Sequence, residues 1–131
     1  MPKLVNEGEN RILSQLLGST AVDSKLYLGL FTNNAEPAET AALAGITEPS
    51  GGAYARKELN RGSWTIADDA ASYAEQTFAA SGASWGSVYG YFIATSADGS
   101  GKLLFVEAFS GGAYNITDGS SIKITPKITA A

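Results

Sequence analysis

The chain has 131 residues, of which 44% are hydrophobic and 17% are charged, and its net charge is −4. This length and apolar content predict one globular domain with a packed core. Nine basic residues are scattered among thirteen acidic ones, so no basic patch for a phosphate backbone is visible and we expect no nucleic-acid partner. The absence of histidine and cysteine removes the commonest general base, the usual zinc ligands and the thiolate nucleophile. We therefore expect neither an enzyme nor a bound metal or cofactor.

Membrane association is not expected either. No apolar run approaches the ~20 residues that a bilayer span requires. The N-terminus also lacks the basic stretch and apolar segment of a secretory signal, so we expect a protein made in the cytoplasm.

A short helix is the first predicted element, in the stretch NEGENRILSQLLG. Its apolar side chains recur at helical spacing and form one stripe: Ile12, Leu13, Leu16 and Leu17. Asn6 and Glu9 resemble a capping box at its start, and Gly18 marks its end. A helix this short is marginal alone, so its stripe must pack on its own domain or on a neighbouring subunit. The sequence leaves both options open.

From residue 26 onward, short β-prone runs separated by turn residues predict about seven or eight strands. LYLGLFT (26–32) and KLLFVEAF (102–109) are apolar on both faces, which is typical of central strands. SIKITPKI (121–128) alternates apolar and polar residues, and Pro126 places it at an edge or bulge. The remaining runs are AYARKEL, SWTI, ASYAEQTF and SVYGYFIAT, at residues 53–59, 63–66, 71–78 and 87–95. The prediction is an all-β fold, a β-sandwich or jelly-roll-like domain over residues 19–131 preceded by an N-terminal arm of residues 1–18.

The connection between residues 32 and 52 is unusually long for a compact domain. Leu43 and Ile46 suggest that its middle is pinned against apolar surface. The segment either packs across a sheet or reaches another chain, and the sequence does not separate these options.

The pentapeptide SGGAY occurs twice, at residues 50–54 and 110–114. The flanking sequences do not align, which argues against a duplicated domain. A β-prone run follows each copy, whereas a phosphate cradle leads into a helix. We predict a glycine turn in both places, with the tyrosine ring covering the open end of a sheet.

The acidic residues, the aromatic residues and one arginine each give a further hypothesis. Asp68, Asp69 and Asp98 are predicted to form turns rather than a calcium or acid–base site. Six aromatic residues fill the core, line an interface or make a sugar-stacking platform: Tyr54, Trp64, Tyr73, Trp85, Tyr89 and Tyr91. Arg56 is either a solvent-exposed residue on an edge strand or a residue that contacts a partner.

Four stretches carry a resemblance to a known group of proteins: LYLGLFTNN, SGGAYARKEL, VYGYFIA and GSSIKITPKI. In this order they resemble small virion proteins of tailed bacteriophages, over nearly the whole chain from Asn6 to Ile128. Members of that group are described sometimes as tail-fibre proteins and sometimes as head proteins.

The resemblance implies a capsid decoration, or cement, protein that binds between major capsid subunits as a homotrimer. It would lie on the capsid surface of a virion assembled in the bacterial cytoplasm. A tail or tail-fibre component and a carbohydrate-binding β-sandwich module are the alternatives. In this hypothesis the arm of residues 1–17 and the loop of residues 33–52 grip neighbouring subunits. The candidate interface residues are Val5, Ile12, Leu13, Leu16, Leu17, Leu43, Ile46, Tyr54 and Arg56.

Overall fold

A computed structural model describes residues 3–129, so the predictions for residues 1, 2, 130 and 131 lie outside the described residues. The fold is all-β with one N-terminal helix, as predicted. The helix α1 spans Asn6–Leu17, and a single 3-10 turn spans Leu43–Gly45. The strands are β1 (Lys3–Leu4), β2 (Lys25–Phe31), β3 (Lys57–Asn60), β4 (Thr65–Ala67), β5 (Ala70–Ser72), β6 (Gln76–Ala79), β7 (Gly86–Val88), β8 (Gly90–Ala94), β9 (Leu103–Ala108), β10 (Tyr114–Ile116), β11 (Ser121–Ile124) and β12 (Lys127–Thr129).

The main sheet has five antiparallel strands in the order β1-β9-β8-β2-β3. The prediction that β2 and β9 are central strands is confirmed, because both have a neighbour on each side. Three smaller antiparallel sheets have the orders β10-β7, β11-β6 and β12-β5-β4.

Alternating side chains of the main sheet enter two separate cores. Leu28, Leu30 and Ile93 face the first core, which also contains side chains from the small sheets. Phe31 and Phe92 face the second core on the opposite side of the sheet. Because both faces are covered, the central strands carry almost no polar residues.

The number of strands exceeds the prediction because three predicted runs are divided and because β1 and β10 lie outside the predicted runs. SIKITPKI splits at Pro126 into β11, which pairs with β6, and β12, which pairs with β5. Proline has no N–H to donate, but its carbonyl oxygen accepts a hydrogen bond of 3.0 Å from the Tyr73 N–H. ASYAEQTF and SVYGYFIAT are likewise each divided into two strands.

The start of α1 differs from the predicted capping box. Val5, in extended conformation, is the N-cap residue, and no side chain caps the helix. Glu9 lies in the first turn, and its backbone N–H donates to the Val5 carbonyl at 2.9 Å. Gly18 ends the helix as predicted, and its N–H donates to the Ser14 carbonyl at 3.0 Å.

Both copies of SGGAY form glycine turns, which confirms the turn part of that prediction. In the first copy Gly51 and Gly52 have φ of 72° and 54°, and in the second Gly112 has φ of 90°. The two tyrosines differ in environment, because Tyr54 is partly buried against the first core whereas the Tyr114 side chain is 51% exposed.

Candidate assembly surface

Polar contacts fix one side of α1 to the β domain. The Glu7 carboxylate accepts a hydrogen bond of 2.6 Å from the Leu103 N–H at the start of β9. The Arg11 guanidinium donates two hydrogen bonds, of 3.2 and 2.7 Å, to the Asp23 carboxylate. The Gln15 amide donates to the same carboxylate at 2.6 Å. The helix is therefore held mainly by charged and polar groups on this side.

A close backbone approach anchors the beginning of the helix. Gly8 is buried, and a side-chain carbon there would collide with the backbone of Leu104. Val5 is fully buried in the second core, and its N–H donates to the Leu104 carbonyl at 3.1 Å. The Val5 side chain is therefore already covered within the chain, and its role at an interface stays a prediction.

The leucine stripe of α1 does not pack on its own domain. Leu13, Leu16 and Leu17 are 53%, 75% and 79% exposed, and we refer to these three residues as the helical ridge. Ile12, in the same stripe, is 42% exposed. Large apolar side chains grouped in this way mark interaction sites on soluble proteins. These four predicted interface residues remain available to a partner.

A groove of apolar side chains, called the apolar groove below, runs beside the helix. It consists of two adjoining hollows of about 210 and about 450 Å³. Both hollows are lined by Leu26, Arg61, Trp64 and Ile128. Ile12 lines the first hollow, and Ile66 of β4, which is 78% exposed, lines the second. The ridge and the groove together make up the candidate assembly surface.

Sequence reasoning missed the apolar groove. Its walls combine residues of two different sheets, because Leu26 lies on β2 of the main sheet whereas Ile66 and Ile128 lie on β4 and β12 of the three-stranded sheet. The available signal was the run SWTI. Its isoleucine lies on β4 and its tryptophan directly precedes that strand, and a hairpin of two three-residue strands is too short to bury both side chains.

The middle of the loop of residues 33–52 is anchored against the β domain. Leu43 is 5% exposed and belongs to the second core, against which Ile46 is also packed. Asn33 holds the loop closed, since its amide donates to the Gly45 carbonyl at 3.0 Å and accepts from the Thr47 N–H at 2.9 Å. Leu43 and Ile46 therefore serve intramolecular packing, and their role at an interface stays a prediction.

The Arg56 side chain also points inward. We call Arg56 and its hydrogen-bond partners Glu48, Ser96 and Asp98 the arginine clasp. The side chain of Arg56 is 6% exposed and donates to the Glu48 carboxylate at 3.0 and 2.8 Å. It also donates to the carbonyls of Ser96 and Asp98 at 2.7 and 2.6 Å, and it lies 5.1 Å from the centre of the Phe92 ring. Although burial opposes the charge, the hydrogen bonds and charge of Glu48 raise the pKa of Arg56. Arg56 therefore joins two loops of one chain, and its role at an interface stays a prediction.

Tyr54 belongs to the same cluster. Its hydroxyl donates to Glu48 at 2.6 Å and accepts from the Leu30 N–H at 3.0 Å. Burial, followed by the hydrogen bond and charge of Glu48, raises the pKa of Tyr54 well above its usual value. The Tyr54 hydroxyl is therefore satisfied within the chain, and the role of Tyr54 at an interface stays a prediction.

The six aromatic residues pack within the fold and do not form an exposed sugar-stacking platform. Trp85 and Tyr91 are buried, and the other four rings are half-buried: Tyr54, Trp64, Tyr73 and Tyr89. The Trp85 indole donates to the carbonyls of Gly51 and Gly52 at 3.2 and 3.0 Å. Trp64 packs edge-on against Tyr73 at 5.2 Å. Core packing, with Trp64 also facing the groove, is the role that this geometry supports.

The acidic residues considered as a catalytic or calcium site form turns. Asp68 and Asp69, with φ of 51° and 57°, make the two-residue turn of the β4–β5 hairpin. The Asp98 carboxylate accepts hydrogen bonds from the hydroxyl and N–H of Ser100, which lower its pKa. Within residues 3–129, no three His, Cys, Asp or Glu side chains form a group that could hold a metal ion. Over the same residues, no helix is long and apolar enough to cross a membrane.

Comparison with known proteins agrees with a role in assembly. The model of a family described as podophage GP4 fiber I protein gp80 matches residues 3–129, which is nearly the whole chain. No curated protein matches the chain. The match confirms the resemblance to phage virion proteins in its general form, a structural role in the virion.

Proposed function

We propose, from the premise that the chain belongs to the family of podophage GP4 fiber I protein gp80, that it is a subunit of a virion fibre. The family match over residues 3–129 is the single observation that carries this proposal. It includes both the β domain and the helical arm, so the arm is part of what the family shares.

The proposed subunit works by shape and adhesion rather than by catalysis. Two cores give a rigid body, and the candidate assembly surface offers apolar area that becomes buried when subunits meet. Burial of such area is the main favourable contribution to protein association. The chain has no histidine or cysteine, and Asp68, Asp69 and Asp98 serve turns, which supports a protein without an active site.

A capsid decoration protein is the second candidate, and the helical ridge favours it. An apolar arm on a compact body is suited to gripping the junctions between major capsid subunits. Homotrimers of the chain would then cover the capsid surface, and many weak contacts would add by multivalency. The fibre proposal takes precedence because the matched family is described as a fibre protein.

Localising the chain on purified particles tests both candidates. Gold-labelled antibody against the full chain, viewed by electron microscopy, is expected to mark appendages at the tail. Labelling spread over the shell would favour decoration over the fibre. Particles that contain no copy of the chain after washing would contradict both, and antibody against the major capsid protein is the matched control.

A further inference from the structure

The helical ridge is too exposed to be explained by the fold of one chain. Ile12, Val22 and Ile66 add further exposed apolar surface to that of the ridge, with exposed fractions of 42%, 54% and 78%. Leu13, Leu16 and Leu17 do not line the apolar groove of their own chain, although Ile12 does. The convex ridge therefore cannot fill the concave groove beside it.

Charge complementarity indicates what fills the groove. Glu9 precedes Leu13 by four residues and Leu16 by seven, so it lies on the ridge side of the helix. Arg61 lines both hollows of the groove. Both side chains are exposed, and neither has an ion-pair partner among the described residues. A negative charge thus accompanies the ridge and a positive charge accompanies the groove.

The groove has a rigid wall and an open side. Trp64 is braced edge-on by Tyr73, which fixes its ring as a surface. Ile66 lies on β4, the outermost strand of its sheet, whose far edge is unpaired within residues 3–129. An exposed apolar edge strand is a site where another chain can approach.

We propose that the occupant is a second copy of this chain, with the helical ridge of one copy seated in the apolar groove of the other and Glu9 facing Arg61. This inference rests on the proposed function, because it names the partner of the same surface. Ridge and groove adjoin on one chain, so two copies can exchange ridges around a two-fold axis, or successive copies can form a ring.

Disulfide trapping tests the contact directly, because the chain has no cysteine of its own. Full-length Leu16→Cys chains, uniformly labelled with heavy nitrogen, are mixed with unlabelled full-length Ile66→Cys chains and oxidised, and the products are resolved by mass. We expect the mixed dimer to exceed random pairing. Replacing Ile66→Cys by Lys123→Cys, an exposed position on β11 that lines neither hollow, should remove the excess. Random pairing of Leu16→Cys with Ile66→Cys would overturn the proposal.

A charge exchange tests the predicted orientation. Sedimentation of the full chain should show that Glu9→Arg and Arg61→Glu each weaken self-association at least fivefold, because like charges then meet. The double variant should return to within about twofold of the wild type. Lys123→Glu is the control and should leave association unchanged. A monomeric wild-type chain, or a double variant no better than either single one, would overturn the proposal.

Failure of this inference is distinguishable from failure of the proposed function. Particles that carry the chain, together with a purified chain that stays monomeric, would contradict the pairing alone. Trapped ridge–groove dimers, together with particles that lack the chain, would contradict the proposed function alone.

Discussion

The helical arm and the loop of residues 33–52 are both segments that the sequence singles out as reaching toward neighbours, but they use their side chains in opposite ways. The loop turns its apolar residues into the second core and is fastened by the arginine clasp. The arm uses polar groups to attach itself and leaves its leucines in water. The difference shows that neither loop length nor apolar content identifies a binding segment. What matters is whether the contacts that anchor the segment also bury its apolar side chains.

The largest expected effect comes from opening the arginine clasp. Arg56→Met removes the ion-pair partner of the partly buried Glu48 carboxylate and the hydrogen bond to the Ser96 carbonyl. The Asp98 carbonyl also loses a donor but keeps its hydrogen bond from the Ser96 hydroxyl. Breaking a buried ion pair in this way is expected to lower the free energy of unfolding by about 3 kcal/mol. Urea denaturation followed by circular dichroism measures this loss.

Arg61→Met is the matched control for the clasp, because it removes an arginine that is exposed. Its free energy of unfolding should stay within about 0.5 kcal/mol of the wild type. Equal stability of the two variants would show that the clasp does not hold the loop. A stable Arg56→Met chain that failed only to assemble would identify Arg56 as an interface residue.

A smaller effect is expected at the root of the arm. Gly8→Ala improves helix propensity, but the added carbon collides with the Leu104 backbone, and overpacking of this kind costs about 1–3 kcal/mol. We expect the helix to separate from β9 while the sheet stays folded. Hydrogen exchange should then become faster in α1 and stay unchanged in β8.

Gly45→Ala serves as the control for the root of the arm, since nothing lies within 4 Å of the added carbon there. It should leave exchange in α1 unchanged. Slow exchange of α1 in Gly8→Ala would mean that the helix does not depend on this close approach.

Alkaline pH is expected to have a smaller effect, and it tests the contacts that hold the loop of residues 33–52. Because the pKa of Tyr54 is raised in the folded chain, its contribution is complete below the usual tyrosine pKa of about 10 and is lost as the pH rises through the higher folded value. The free energy of unfolding should therefore fall above about pH 10. Tyr91, whose pKa is raised by burial and by Glu107, adds to the same fall.

Tyr54→Phe should make this fall less steep in denaturation curves recorded across that pH range. Tyr114→Phe is the control, because the Tyr114 side chain is 51% exposed. A Tyr54→Phe chain with the wild-type pH profile would show that the hydroxyl does not couple the clasp to pH.

Local patterns predicted much of this fold because they report on burial. Continuous apolar runs identified β2 and β9 as central strands, and positive φ at Asp68 and Asp69 agrees with their prediction as turn residues. Helical spacing correctly grouped the leucines of α1, but it could not show whether the stripe faced the sheet. That outcome depends on Gly8 fitting against Leu104, which is a contact between residues 96 positions apart.

The candidate site was harder to predict than the fold. Arg56 lies in a charged run that is typical of an exposed strand, and only its partners on two distant loops reveal that it is buried. The apolar groove joins Leu26, Trp64 and Ile128, which have no common local pattern. Contacts between distant segments therefore decided which candidates face inward and which face outward.

The central claim is that the helical ridge serves assembly and not folding, and the double variant Leu16→Ser, Leu17→Ser tests it most directly. Both side chains are at least three-quarters exposed, so the free energy of unfolding should stay within about 0.5 kcal/mol of the wild type. Incorporation of the variant into virions, measured on purified particles against the wild-type chain, should be lost. Normal incorporation, or a loss of stability above about 2 kcal/mol, would contradict the claim.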